Sequence, residues 1–260
     1  MQKPDKTTPV TILGAGIVGI CTALSLLDRG VPVTLIDRGE PGQATSYGNA
    51  GVVSPWSFIP QAVPGIWRKI PKLMLGNGRA LSVHPKYSLK ILPWALRFLL
   101  QSREERVRTA SDAMANLCGP SIDLFRKHLN GTGQEGLLTD TMYLQLYRDG
   151  SKPTLEAIDY RIRAEKGADM EVLGQDELSR LEPAVSSEFK AGLLIKGTAR
   201  VRAPGQLAAA LANKASSMGA KFIKANIKRV QKREAGWTVH CEDGDHGAER
   251  IIMCLGVWSL

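Results

Sequence analysis

"VTILGAGIVGICTALSLLDRGVPVTLIDRG", Val10 to Gly39, decides how the chain is read. Its first 18 residues, Val10 to Leu27, carry no charge and follow an N-terminus that holds Lys3 and Lys6. That is how a secretory signal or a membrane anchor begins. The same stretch places glycines at 14, 16 and 19, and glycine weakens a free-standing apolar helix. A second β-branched segment, Val31 to Asp37, follows at once. The pattern predicts strand Thr11–Leu13, a glycine turn, helix Ile17–Arg29 and strand Val33–Asp37, a βαβ unit of about 30 residues. That context favours a phosphate-cradling turn over a signal or an anchor.

In such a unit Gly14 makes the tight turn out of the first strand. Gly16 lets the backbone approach a pyrophosphate, and Gly19 lets the helix pack close to the sheet. Ala15, Ile17 and Val18 complete the backbone facing the phosphates, which meet free N–H groups and the positive end of the helix. Asp37 lies 18 residues after Gly19, at the end of the second strand. A carboxylate there accepts hydrogen bonds from both ribose hydroxyls and repels a 2′-phosphate, which disfavours an NADP-type ligand. The motif leaves NAD and FAD open. "GEPGQATSYGNAGVVSP" (Gly39–Pro55) follows, a loop of small residues where an NAD domain would usually continue with a crossover helix. Such a loop can wrap along an extended cofactor, or it can be plain surface.

The 260 residues can bury one large core or two modest ones. The net charge of +9 favours anionic partners, from acidic lipid to phosphate-bearing cofactors. Cys21, Cys118, Cys241 and Cys254 show no metal-ligand spacing, and Cys21 and Cys254 sit in apolar runs as small core residues. This usage fits a reducing cytoplasm rather than a disulfide framework. His84, His128, His240 and His246 show neither metal nor triad spacing, so no metal site is expected. Nucleophile-elbow and P-loop patterns are absent from the sequence. The basic run "KFIKANIKRVQKR" (Lys221–Arg233) has one aromatic, Phe222, and reads as a charged strand edge rather than a nucleic-acid surface.

Along the chain, residues 1–8 read as a loose tail. Helices are expected over Ser88–Leu100, over Glu104–Leu129 with a break at Gly119-Pro120, over Thr154–Lys166, and over "QDELSRLEP" up to Pro183. Strands are expected at Thr141–Tyr147 and Phe189–Ile195. Pro204 opens a helix that Gly219 closes. A strand and a hairpin turning near Ala235-Gly236 follow, then a last strand in "AERIIMCLG" with Gly256 just past its end. The segment Ile66–Arg108 pairs basic residues with Trp67, Trp94, Phe98 and a leucine stripe. The first reading packs these leucines inside a cap domain. The other lays the segment on an anionic membrane surface as a peripheral contact. No run reaches the ~20 apolar residues of a membrane span.

Four stretches carry a resemblance: "ILGAGIVGICTALSLLDRGVPVTLIDR", "ATSYGNAGVVSP", "ARVRAPGQLAAALANKASSMGA" and "IIMCLGVWS". Together they resemble the FAD-dependent amine oxidoreductases of the D-amino-acid oxidase superfamily. The loop with Thr45, Ser46, Asn49, Ala50, Gly51, Val53, Ser54 and Pro55 points to the D-amino-acid dehydrogenase small-subunit branch. The resemblance implies a mixed α/β fold in which a Rossmann-type FAD-binding domain (1–56 plus 200–260) is interleaved with a partial substrate or cap domain (57–199). It implies FAD as cofactor, held by Gly14 to Gly19, Asp37, Arg38, Thr45, Ser46, Asn49, Ala50, Gly51 and Val52. Val230 would meet the adenine through its strand backbone, and Gly256 would allow close backbone approach. The implied reaction is oxidative deamination of a small amine or D-amino acid, with a quinone as a candidate electron acceptor. Members of the family continue beyond the position of Leu260, and the residues that grip the substrate's carboxylate are expected there. No catalytic residue is therefore assigned. The alternative reading is a truncated, inactive nucleotide-binding fragment, or one half of a split flavoenzyme.

Overall fold

The computed structural model describes residues 8–75, 81–151 and 153–259. The expected N-terminal tail lies almost wholly outside the described residues. The chain opens with β1 (Val10–Leu13), α1 (Ile17–Leu27), β2 (Val33–Asp37) and the short β3 (Val52–Val53). Four helices follow: α2 (Ile66–Leu75), α3 (Ser88–Gln101), α4 (Glu104–Cys118) and α5 (Ser121–Leu129). Then come β4 (Leu138–Tyr147), α6 (Ile158–Glu165), β5 (Met170–Gly174), α7 (Gln175–Leu181), β6 (Ala191–Val201) and α8 (Pro204–Ser217). Five strands close the described chain: β7 (Lys221–Lys224), β8 (Ile227–Lys232), β9 (Trp237–Cys241), β10 (Gly244–Ala248) and β11 (Arg250–Met253).

Two compact units divide these elements. The first comprises Met1–Val52, Asp123–Thr139 and Arg200–Leu260. Its parallel sheet has the order β11-β1-β2-β7, with Val10 registered on both Val33 and Arg250. All four residues of β1 are buried, as expected for a central parallel strand covered on both faces. Against the sheet lies an antiparallel set, β10-β9-β8. Val230, Ile227 and Cys241 from that set pack on a core of Leu13, Ile36, Ala225 and Val239. Helix α1 buries Gly19, Ile20, Ala23 and Leu24, and α8 buries Leu207, Ala208, Leu211, Ala212 and Ala215.

Residues 123–139 join this unit although the sequence reading places them in the other domain. Polar ties explain it. Lys127 pairs with Asp28 at 2.7 Å. The buried His128 meets Ser25 Oγ at 3.2 Å. Lys214 Nζ donates to the carbonyls of His128 and Asn130 at 3.0 and 2.7 Å.

The second unit holds Val53–Ile122 and Asp140–Ala199, with most of a sheet ordered β3-β6-β4 and β5 paired to β6. Trp56 organises its core. The ring lies between one cluster around Phe58, Val107 and Ile162 and another around Tyr160, Leu193 and Ile195. Its indole N–H donates to the Lys196 carbonyl at 2.8 Å, and its own carbonyl accepts from Arg163 Nε at 3.0 Å.

Helix α3 corrects the first reading of the leucine stripe. No residue of α3 is buried; Leu89 is 83% exposed and Trp94 59%. No described helix is long and apolar enough to cross a membrane. The sequence pattern does not predict α2, β3, β5 or β10. Pro71 lies inside α2, and β10 reads GDHGA, without the apolar alternation that marks a strand; its partner β9 imposes the extended form. Strand β6 also runs past the expected Ile195 to Val201.

Candidate cofactor site

The site is built where β1 ends. Gly14 adopts φ +103, and a Cβ there would stand 2.4 Å from the carbonyl oxygen of Cys254. Only glycine fits that turn. Its N–H donates to Ile36 O at 2.8 Å, while Cys254 N donates to Leu13 O at 2.7 Å. The turn is thus clamped between the two neighbouring strands. Gly19 lies one turn into α1, and a Cβ on it would come 2.0 Å from the Gly14 carbonyl oxygen. The helix can approach the turn this closely only because position 19 has no side chain. Gly16 is the N-cap of α1, whose first turn contains no acidic residue. Val18 stands 64% exposed on that turn.

Asp37, at the end of β2, faces the turn. Its Oδ2 accepts from the Ala15 N–H at 2.7 Å and its Oδ1 from the Gly39 N–H at 2.9 Å. The sequence reading reserves this carboxylate for ribose hydroxyls; it also fixes the glycine turn. Each carboxylate oxygen retains a lone pair for a further donor, so the two tasks are compatible. Arg38 beside it places its guanidinium over the Trp258 ring, 4.4 Å from the centroid.

The loop after β2 is a fastened strap. Gly42 N donates to Ala15 O at 2.8 Å, and a Cβ on Gly42 would strike Ala208 Cβ at 2.5 Å. Ser46 Oγ accepts from the Ile17 N–H at 2.9 Å, supplying from 29 residues away the cap that Gly16 cannot provide. The Tyr47 ring covers Gly205 in α8. Asn49 reaches both ways: its Nδ2 donates to Ser46 O at 3.2 Å and its Oδ1 accepts from Gly51 N at 2.8 Å. Gly51 has φ +67, and a Cβ on it would lie 2.2 Å from Val201 O. Thr45 and Ala50 are exposed between these anchors, as is Val52 at its far end.

These residues fit a dinucleotide. The small-residue cradle at 14, 16 and 19 leaves backbone exposed at a helix N-terminus, with a hydroxyl and a carboxylate beside it. Two expected contributors stand differently. Gly256 has φ +60, but no atom lies within 4 Å of a Cβ built there; the left-handed backbone, not crowding by protein atoms, calls for glycine. Val230 has its side chain against the Leu13 and Ile36 core, the place of a core valine.

Residues 9–260 match the family described as DAO, FAD dependent oxidoreductase. The chain belongs to that family. FAD is the cofactor of the DAO family. A D-amino-acid oxidase of Bradyrhizobium diazoefficiens is 36% identical over 254 residues, covering 96% of this chain and 60% of the relative. A D-amino acid dehydrogenase of Rhizobium rhizogenes is 31% identical, covering 96% and 61%. The chain therefore spans about three fifths of the curated relatives it matches. Among solved structures, L-proline dehydrogenase from P. horikoshii superposes with a TM-score of 0.64 at 17% identity, covering 96% of this chain and 53% of the other. Glycine oxidase from Geobacillus kaustophilus gives 0.61 at 21%, covering 98% and 57%. These likenesses establish the DAO-family fold, the mixed α/β architecture expected from the sequence.

The sequence reading misses three residues that the structure brings together at the β9–β10 turn. Cys241, Asp243 and His246 place their ligand atoms within 4.8 Å of one another.

Proposed function

We propose that this chain holds FAD in its first unit and contributes that unit to an enzyme that oxidises a small amine or a D-amino acid. One observation carries the reading: the glycine turn, the Asp37 carboxylate and the Ser46 strap converge at the N-terminus of α1. Gly14, Ala15, Gly16, Ile17, Val18 and Gly19 would face the pyrophosphate with backbone. Asp37 would take the ribose hydroxyls, with Arg38 at the edge. Thr45, Ser46, Asn49, Ala50, Gly51 and Val52 would line the cofactor's length. Val230 and Gly256 would approach it through backbone atoms. Bound FAD supplies the two-electron acceptor for oxidising the carbon–nitrogen bond.

The residues of this chain then orient and shield. Ser46 and Asp37 hold the turn in one geometry before the ligand arrives, so less ordering is required on binding. The names of the similar proteins, D-amino-acid oxidase and D-amino acid dehydrogenase, support the substrate class. No side chain described here is assigned the role of acid or base. The experiment is anaerobic addition of D-alanine and a panel of small amines to the FAD-loaded chain. Bleaching of the flavin's visible absorption supports the reading. A yellow protein that no amine bleaches leaves a cofactor-binding fragment, or half of a split enzyme that needs its complement.

We infer further that the electron acceptor is membrane-bound, such as a quinone, and a second observation supports this reading. Between residues 41 and 103 the sequence has eight Lys and Arg and no Asp or Glu. Within that stretch Trp67, Leu89, Leu92, Trp94 and Leu96 are exposed. A basic face carrying exposed aromatics and leucines suits an anionic bilayer surface.

A further inference from the structure

We propose that the β9–β10 hairpin is a binding site for a divalent cation of the zinc type, formed by Cys241, Asp243 and His246. The site belongs to the antiparallel set β10-β9-β8 and not to the sheet that carries the glycine turn. It lies beyond the proposed cofactor function and does not depend on it.

The hairpin's register creates the juxtaposition. Gly244 pairs with Cys241 and His246 pairs with Val239. Cys241 and His246 are therefore diagonal neighbours on one face, since alternate residues of a strand share a face. Glu242 and Asp243 form the turn between the two strands, and Asp243 folds back over that face. Both of its carboxylate oxygens lie 3.3 Å from His246 Nε2. His240 and Asp245 occupy the opposite face, bonded to each other at 2.7 Å through Nδ1 and Oδ1. The alternation sorts the hairpin's two histidines between two environments.

The chemistry of the trio selects the ion. Thiolate and imidazole are borderline-to-soft ligands that favour zinc over calcium or magnesium, which take oxygen ligands in larger number. One thiolate and one carboxylate balance a divalent charge. Cys241 gives up its thiol proton to solvent as the sulfur–metal bond forms. Three protein ligands leave a fourth position for water. Space exists for it: Gly244, opposite Cys241, has nothing within 4 Å of where a Cβ would be. The cysteine is held in place because its strand packs on the Leu13 and Ile36 core, whereas Asp243 is exposed and free to adjust.

Cobalt(II) is the probe, because a cobalt–thiolate bond gives a near-ultraviolet charge-transfer band that other ligands do not. The reduced, metal-stripped full chain is titrated with cobalt(II), then with zinc(II) in competition. One equivalent of cobalt should produce the band, and zinc should abolish it. Cys241→Ser should remove the band, and His246→Gln and Asp243→Asn should each weaken cobalt binding at least tenfold. His240→Gln, on the opposite face, should leave binding unchanged. Circular dichroism checks that each variant is folded. A folded, reduced wild-type chain without the band overturns the proposal. So does a band that survives Cys241→Ser, or equal binding by wild type and His246→Gln.

Discussion

Gly19→Ala separates two accounts of the glycine turn. Inside a helix, alanine is favoured over glycine by about 1 kcal/mol. If Gly19 were an ordinary helix residue, the variant would be more stable than the parent. Here the new Cβ would lie 2.0 Å from the carbonyl oxygen of Gly14, so the helix and the turn must separate by about 1 Å. Overpacking of that kind costs about 1–3 kcal/mol. The obstacle is backbone clamped by Ile36 and Cys254, which argues for the upper end. Subtracting the helix gain leaves a net loss of about 2 kcal/mol, or about 4–8 °C in Tm for a chain of this size. The displaced turn also carries Ala15, whose N–H is bonded to Asp37. FAD affinity should fall at least tenfold. Gly30→Ala is the control. Gly30, unlike Gly19, is left-handed, with φ +76, and nothing lies within 4 Å of its Cβ position. It should lose about 1 kcal/mol through backbone strain alone and keep its FAD affinity. Thermal unfolding and fluorescence titration with FAD read both effects. A Gly19→Ala variant with a raised Tm and unchanged FAD affinity would refute the reasoning.

Three further outcomes are expected. Asp37→Ala leaves the buried Ala15 N–H without its acceptor, which costs about 1–3 kcal/mol and should weaken FAD binding more than Asp37→Asn; equal titration curves would contradict the carboxylate's place in the turn. Burial holds the pKa of His128 below the ordinary 6.5, so the unfolded chain binds the proton more readily. Its contribution to stability is complete above pH 6.5 and declines as pH falls below that value through the folded pKa; urea midpoints across that range should show a shallower decline in His128→Gln than in the parent. The chain should float with anionic liposomes and not with neutral ones, less so at high salt, and replacing Leu89, Leu92 and Leu96 by serine should abolish flotation; no flotation with either lipid would assign the stripe to protein contacts, and salt-independent flotation would contradict the part given to the basic residues.

What could be read from the sequence was local. Gly14, Gly16, Gly19 and Asp37 lie within one βαβ unit, where the chain's own geometry fixes their relation. The same holds for the break at Gly119-Pro120 and for the helix begun by Pro204. Contacts between distant segments left little trace. Ser46 caps α1 through a hydrogen bond that no helix-capping pattern encodes, because donor and acceptor are 29 residues apart. Tyr47 over Gly205 and Arg38 over Trp258 are of the same kind. The glycines and charges of β10 mask its period, and with it the pairing that brings Cys241 to His246. The leucine stripe of α3 was legible as an amphipathic pattern, yet periodicity cannot say whether protein or lipid meets it.

The most direct test of the central claim is a titration of the purified chain with FAD, followed by flavin fluorescence, with NADP as a competitor. The geometry of Gly14, Asp37 and Ser46 predicts one equivalent of FAD bound, no displacement by NADP, and a large loss of affinity in Asp37→Ala. A folded chain that binds no FAD, or one that binds it equally well without the Asp37 carboxylate, would contradict the account.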